Sequence, residues 1–196
     1  MAKPPKSPER AIGGLAELAR EGRRGPAPVH LWNPPDCGDI DMRIAADGVW
    51  RYCGSPIGRA PLVQLFASIL RKDGERYVLV TPVEKVGIRV DDAPFLAVEM
   101  WVGEKDGEPA LTFRTNVEDV VTVDAERPLR FERGAAEGLK PYVRVRGDLW
   151  ALVKRALFYD LVALGGSEPW GGDLWFGVRS CGVFFPMRPI SEIEGL

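Results

Sequence analysis

Beyond Pro82 the chain is dominated by short apolar runs bounded by turn-forming residues: 88–90, 96–102, 111–115, 120–123, 129–132 and 142–146. In the longest of them Leu96, Val98, Met100 and Val102 alternate with Ala97, Glu99 and Trp101, the period of two that puts one side of a strand indoors. Lys105, Asp106 and Gly107 supply the turn to the next run. So many strands at such close spacing predict an antiparallel meander.

Ahead of Pro82 the pattern is mixed. Met42, Ile44 and Ala46 alternate up to Asp47-Gly48, and Trp50 and Tyr52 alternate after it, which predicts a tight hairpin. Pro61 then opens a helix whose apolar residues Leu62, Leu65, Phe66, Ile69 and Leu70 share one face. Arg71 and Lys72 suit its C-terminal end, Gly74 closes it, and residues 77–81 return as a strand. At the N-terminus Ser7, Pro8 and Glu9 read as cap and first turn of a short helix carrying Ile12, Leu15 and Leu18, followed by a Pro- and Gly-rich linker through Trp32-Asn33-Pro34-Pro35 that wraps a neighbouring surface.

A long helix is predicted over residues 149–164, with Leu149, Leu152, Val153, Ala156, Leu157, Leu161 and Leu164 in one stripe and Asp160 inside it, where an ionised carboxylate needs a partner. A Gly-rich loop through Trp170 and two last strands at 174–178 and 182–185 complete the chain. Strand, apolar helix and returning strand thus occur once in residues 52–81 and again in 142–185, which predicts a duplicated supersecondary unit. The expected class is α+β, in an N-terminal helix and tail (1–24), an N-terminal α+β domain (25–86) and a C-terminal α+β domain (87–190).

Lys and Arg total 26 against 28 Asp and Glu, so no long-range field favours duplex nucleic acid or an anionic membrane surface. Three scattered cysteines, Cys37, Cys53 and Cys181, form neither a disulfide framework nor a zinc-binding spacing, and the first ten residues lack the apolar core of a secretory signal. Together with an apolar segment interrupted by Lys154, Arg155 and Asp160, which argues against a membrane span, this predicts a cytoplasmic protein. His30 is the one imidazole and sits in the Pro-rich linker, so Ser-His-Asp and Cys-His arrangements have no positioned base. No catalytic residue, metal site or cofactor is assigned. Asp36, Asp39 and Asp41 lack the regular spacing of a calcium loop and read as turn caps.

Several stretches taken together, Trp32-Asn33-Pro34-Pro35, Gly38-Asp39-Ile40-Asp41, Asp47-Gly48 with Trp50, Gly54-Ser55-Pro56-Ile57-Gly58-Arg59, Glu84-Lys85 and Pro141-Tyr142, resemble the bacterial domain-of-unknown-function 1285 family over nearly the whole chain. The resemblance implies a duplicated two-domain fold with a superficially pleckstrin-homology-like C-terminal part. It also implies a nucleotide-like ligand at the domain interface and a role in signal transduction linked to stress. Where the family pattern has a Trp-Ser-Gly-Gly type sequence this chain has Arg179-Ser180-Cys181-Gly182.

Side chains able to hold a small anion follow from the residues themselves. Gly54 to Arg59 precedes a helix, where small residues allow close backbone approach and Arg59 offers a planar fork. Arg144 and Arg146 leave one face of a strand, and Lys85 stands where the two domains join. Asn116 and Ser180 are hydrogen-bonding residues in loops, and Trp170 offers a ring on which a base stacks. Two readings stay open. One is a noncatalytic sensor or adaptor binding a small anionic, nucleotide-like ligand through these residues and engaging a signalling protein partner. The other is a protein-interaction scaffold built on the pleckstrin-like sheet. A hydrolase would need a pair of buried carboxylates that the sequence does not offer.

Overall fold

The structure, a computed structural model, describes residues 8, 12–20, 25–134 and 138–193. Ser7 and Glu9, expected at the start of the first helix, lie outside them. The chain divides into two compact units, one running to Pro94 and including residues 147–149, the other formed by residues 95–146 and 150 onward.

In the first unit, helix α1 (Leu15–Arg20) buries Leu15 and Leu18, with Ile12 just ahead of it. The linker that follows is stitched to the sheet: Ala27 N–H donates to Ser68 O (2.9 Å), and Arg71 donates to the carbonyls of Val29 (2.6 Å) and Trp32 (2.8 Å). Strands β1 (Asp36–Ile44) and β2 (Trp50–Tyr52) form the expected hairpin, pairing Met42 with Tyr52 and Ile44 with Trp50. Its loop is held by Asp47, whose carboxylate accepts the Val49 N–H (3.0 Å). The stretch expected as a loop before the helix contains a short strand, β3 (Ser55–Pro56), and α2 (Ala60–Ser68) follows. One side of α2 packs on the sheet: Leu62 and Phe66 are buried, and the Phe66 ring stacks on Trp50 at 6.1 Å and 15°. Each such side chain contributes about 1.5–3 kcal/mol of burial.

The helix stops earlier than its periodicity predicts. The Ser68 hydroxyl bonds back to Leu65 O (2.7 Å), and Leu70 leaves the helix to pair with Leu79 across β4 (Leu70–Asp73) and β5 (Arg76–Val80). Arg71 and Lys72 are therefore strand residues rather than a helix terminus, and Gly74 belongs to a hairpin turn. Strand β6 (Lys85–Val90) completes a sheet of order β3-β2-β1-β6-β5-β4, with β1 and β6 parallel.

The second unit holds β7 (Phe95–Lys105), β8 (Glu108–Thr115), β9 (Val120–Thr122), β10 (Leu129–Arg133), β11 (Leu139–Arg146) and β12 (Leu149–Val153). All the strands expected here are present, but their sheet is not a simple meander. Its order is β10-β11-β12-β7-β8-β9, and β12 and β7 run parallel at its centre. A register shift between Ala97 and Glu99 breaks the alternation expected of β7: Phe95 and Ala97 are buried ahead of it, whereas beyond it Met100 stands opposite buried Phe113.

The helix predicted over residues 149–164 is two elements. Leu149, Ala151 and Val153 are buried with a strand's period of two in β12, and α3 (Arg155–Ala163) begins only afterwards. Leu161 is the one buried residue of α3, and Asp160 is exposed, so it needs no interior partner. The Gly-rich segment expected as a loop forms β13 (Gly166–Trp170), which joins β14 (Asp173–Ser180) and β15 (Val183–Pro189) in a small antiparallel sheet, before the short α4 (Ile190–Ile193).

Duplication is evident, though not in the segments expected. Each unit is two three-stranded meanders whose first and last strands meet in parallel at the centre, so β1 to β6 and β7 to β12 have the same order. The helix α2 joins the two meanders only in the first unit. The repeat is the six-strand sheet, not the strand-helix-strand pattern.

Candidate functional site: an arginine row on the first sheet

Because side chains alternate across a strand, the residues between those packed on α2 project from the other face of the first sheet. On that face Arg43 of β1 stands directly opposite Arg51 of β2 on one side and Arg89 of β6 on the other. One step past the Tyr77–Ile88 pair, Arg76 of β5 stands opposite Arg89, and Asp73 of β4 closes the row. Like charges placed directly opposite on neighbouring strands are destabilising unless something compensates them.

Compensation is uneven. Arg43 is gripped bidentately by Asp91, at 2.7 and 2.8 Å, and the guanidinium holds the Asp91 carboxyl below its ordinary value. Arg76 is held by two carboxylates, Asp36 and Asp39, and its hydrogen bond pulls the Asp36 pKa down. This clamp lies over Gly87: a Cβ there would meet the Asp39 carboxylate oxygen and Arg76 Nε, so a larger residue would have to displace the two clamping side chains. Among the described residues Arg51 has only a long contact to Gly54 O (3.5 Å). Arg89 is exposed, and no acid of the described residues lies within ion-pair distance of it. Two guanidinium groups are thus fixed in place on either side of a third that has no acidic partner among the described residues.

Arg89 and Arg76 line a wide-mouthed cavity of about 700 Å³. Tyr77, Ile88 and Val90 also line it, and Asp73, Glu75 and Asp91 complete the rim. Every lining residue belongs to the first unit. The set can bind an oxyanion by charge-assisted hydrogen bonds.

The residues singled out from sequence lie in both units. Arg59 is the residue before α2, extended and exposed. Lys85 opens β6, with its ammonium on Asp73 (3.2 Å), which Arg71 also grips at 2.6 and 2.9 Å. Asn116 locks the β8–β9 turn, accepting the Leu96 N–H at its side-chain oxygen (2.9 Å) and donating its own N–H to Leu96 O (2.8 Å). Arg144 and Arg146 do share a side of β11; Arg144 reaches Glu126 O at 3.5 Å, while Arg146 pairs with Asp119 and covers the Phe95 ring at 5.0 Å. Trp170 is 48% exposed and meets Trp175 edge-on at 5.3 Å.

Ser180 is fully buried in the strand β14, not in a loop, and its surroundings explain why. Past the Thr112–Thr122 pair, Val123 N–H donates to Leu111 O (2.8 Å). The reciprocal bond is absent; instead Leu111 N–H donates to the Ser180 hydroxyl (2.9 Å), which donates to Val123 O (2.7 Å). A side chain has been inserted into a backbone ladder.

The sequence of the chain matches the N-terminal domain of the DUF1285 domain of unknown function over residues 27–93 and the C-terminal domain of the DUF1285 protein of unknown function over residues 94–187. The chain belongs to the DUF1285 family. A DUF1285 crystal structure from Silicibacter pomeroyi DSS-3 is similar to it with 50% identity and a TM-score of 0.82, over 93% of this chain and 99% of that one. A second, from Shewanella baltica OS155, shares 30% identity with a TM-score of 0.52, over 63% of this chain and 91% of that one. No curated protein matches. The Arg179-Ser180-Cys181-Gly182 stretch singled out from sequence ends on a turn: Ser180 pairs with Val183, and Cys181 and Gly182 both have positive φ, 48° and 74°. Cysteine here occupies a left-handed position that glycine adopts without strain. Among the described residues no helix is long and apolar enough to cross a membrane.

Proposed function

We propose that this DUF1285 protein is a noncatalytic binding protein, a sensor or adaptor in signal transduction, whose ligand carries an anionic group seated on the arginine row of the first unit. The observation that carries the reading is Arg89, without an acidic partner among the described residues and lining a cavity between two guanidinium groups already oriented by acids. Preorganised forks bind oxyanions with little ordering cost. The nucleotide-like ligand implied by the family resemblance is one such anion.

The test is a thermal-shift series with inorganic phosphate and nucleotides on the full chain and on Arg89→Ala. Ligand at a hundredfold excess over Kd adds about 2.7 kcal/mol to the folded state. Arg89→Ala, a surface change, is expected to leave the ligand-free Tm in place and remove the ligand-induced shift; an unchanged shift would refute the assignment. A second reading, a scaffold on the pleckstrin-like second unit, draws on Trp170 and Leu174, 48% and 49% exposed on adjacent strands. It predicts a protein partner lost with Trp170→Ala and retained with Arg89→Ala.

A further inference from the structure

We infer that the ligand of the arginine row carries two anionic groups at the ends of an uncharged, hydroxylated body, in the manner of a sugar bisphosphate. The inference rests on the anion-site reading above and adds the ligand's second anionic group, which falls on Arg51.

The row extends beyond the cavity. Arg43 stands opposite Arg51 of β2 as well as opposite Arg89 of β6, and residues directly opposite each other in a sheet project from the same face. Three arginines therefore sit side by side on β2, β1 and β6. Acids do not serve them equally. The middle one, Arg43, is gripped bidentately by Asp91. Among the described residues Arg89 has no acidic partner, and Arg51 meets only the Gly54 carbonyl at 3.5 Å.

The consequence is a spacing. Two guanidinium groups without acids flank one that is neutralised, and their backbones lie two strand spacings apart, roughly 9–10 Å. Arg43 cannot swing aside without breaking its bidentate pair, so it stays between them. One phosphate on Arg89 leaves Arg51 unused. A six-carbon chain with a phosphate at each end spans both, and its second phosphate binds from a high effective concentration.

The Arg43–Asp91 pair also dictates what suits the space between the two ends. A third negative charge on the ligand meets like-charge repulsion from the Asp91 carboxylate, whereas a hydroxyl can donate a hydrogen bond to it. On these three strands Trp50 and Tyr52, Met42 and Ile44, and Ile88 and Val90 alternate with the arginines and so project from the α2 side. A hydroxylated body therefore matches the face better than an apolar one.

Isothermal titration of the full chain with inorganic phosphate, pyrophosphate, fructose 6-phosphate and fructose 1,6-bisphosphate tests this, and the first comparison needs no variant. Fructose 1,6-bisphosphate is expected to bind about tenfold or more tightly than fructose 6-phosphate and than pyrophosphate, whose two phosphates are adjacent. Arg51→Ala should abolish that advantage while leaving phosphate and fructose 6-phosphate unchanged, and Arg89→Ala should weaken all four. Pyrophosphate or fructose 6-phosphate binding as tightly as the bisphosphate, or an advantage that survives Arg51→Ala, would overturn the two-ended ligand while leaving the anion site standing. No binding by any of the four would overturn the anion site itself.

Discussion

Replacing Ser180 by alanine isolates the hydroxyl that bridges Leu111 and Val123. The substitution removes two hydrogen bonds, at 2.9 and 2.7 Å, and leaves a backbone N–H and a carbonyl facing each other across a gap in a buried part of the second unit. A neutral hydrogen bond contributes about 1 kcal/mol net, and stranding a buried polar group costs about 1–3 kcal/mol. The strands can relax toward one another and recover part of this, so the expected loss is about 2–4 kcal/mol, or roughly 5–15 °C in Tm for a chain of this size. Urea unfolding followed by tryptophan fluorescence measures it, with an unchanged m-value marking a loss of stability rather than a change of compactness. A loss below about 0.5 kcal/mol, within the range of an ordinary surface change, would refute the inserted-hydroxyl account and return Ser180 to the ligand contacts expected from sequence.

Other expectations follow from the same geometry. Cys181→Gly and Cys53→Gly, each at a positive φ (48° and 47°), should each stabilise the protein by up to about 1 kcal/mol, since relief of left-handed strain outweighs the added chain entropy; thermal unfolding of each variant checks this. Trp50 has a buried indole N–H with no acceptor, so Trp50→Phe should cost less than about 2 kcal/mol where Trp50→Ala costs about 3–5 kcal/mol, as chemical denaturation will show. Asp73 has its pKa lowered chiefly by the hydrogen bond from Arg71, against the opposing effect of burial. Its folded value lies below the unfolded one, so its contribution is present above about pH 4 and is lost as pH falls further; stability measured from about pH 5 to pH 3 should drop less steeply in Asp73→Asn than in the native chain.

Local signals carried much of the fold. The Asp47-centred hairpin and the strands of the second unit are set by alternation and turn chemistry within a few residues, and both were legible. The 149–164 segment was not, because Leu149, Ala151 and Val153 satisfy a period of two while Leu149, Leu152 and Val153 satisfy a helical one; pairing of Ala151 with Phe95, a contact far along the chain, decides between them. The same distinction divides the arginine row. Arg43 and Arg51 lie at equal distances from Asp47, so a hairpin centred there places them opposite each other, and the pair was available to sequence reasoning. Arg89 joins them only through the parallel β1–β6 pairing, which no local pattern encodes. Lys85, Asn116, Arg146 and Ser180 were singled out as ligand contacts; in the structure each bonds to a residue of its own unit.

The most direct test of the arginine row is to follow the arginine Nε–H resonances by NMR while inorganic phosphate is added to the full chain. Saturable shifts of Arg89, with smaller ones at Arg43 and Arg76, are predicted, and they should vanish in Arg89→Ala. Shifts spread evenly over exposed arginines in both units, without saturation at millimolar phosphate, would contradict an anion site on the first sheet.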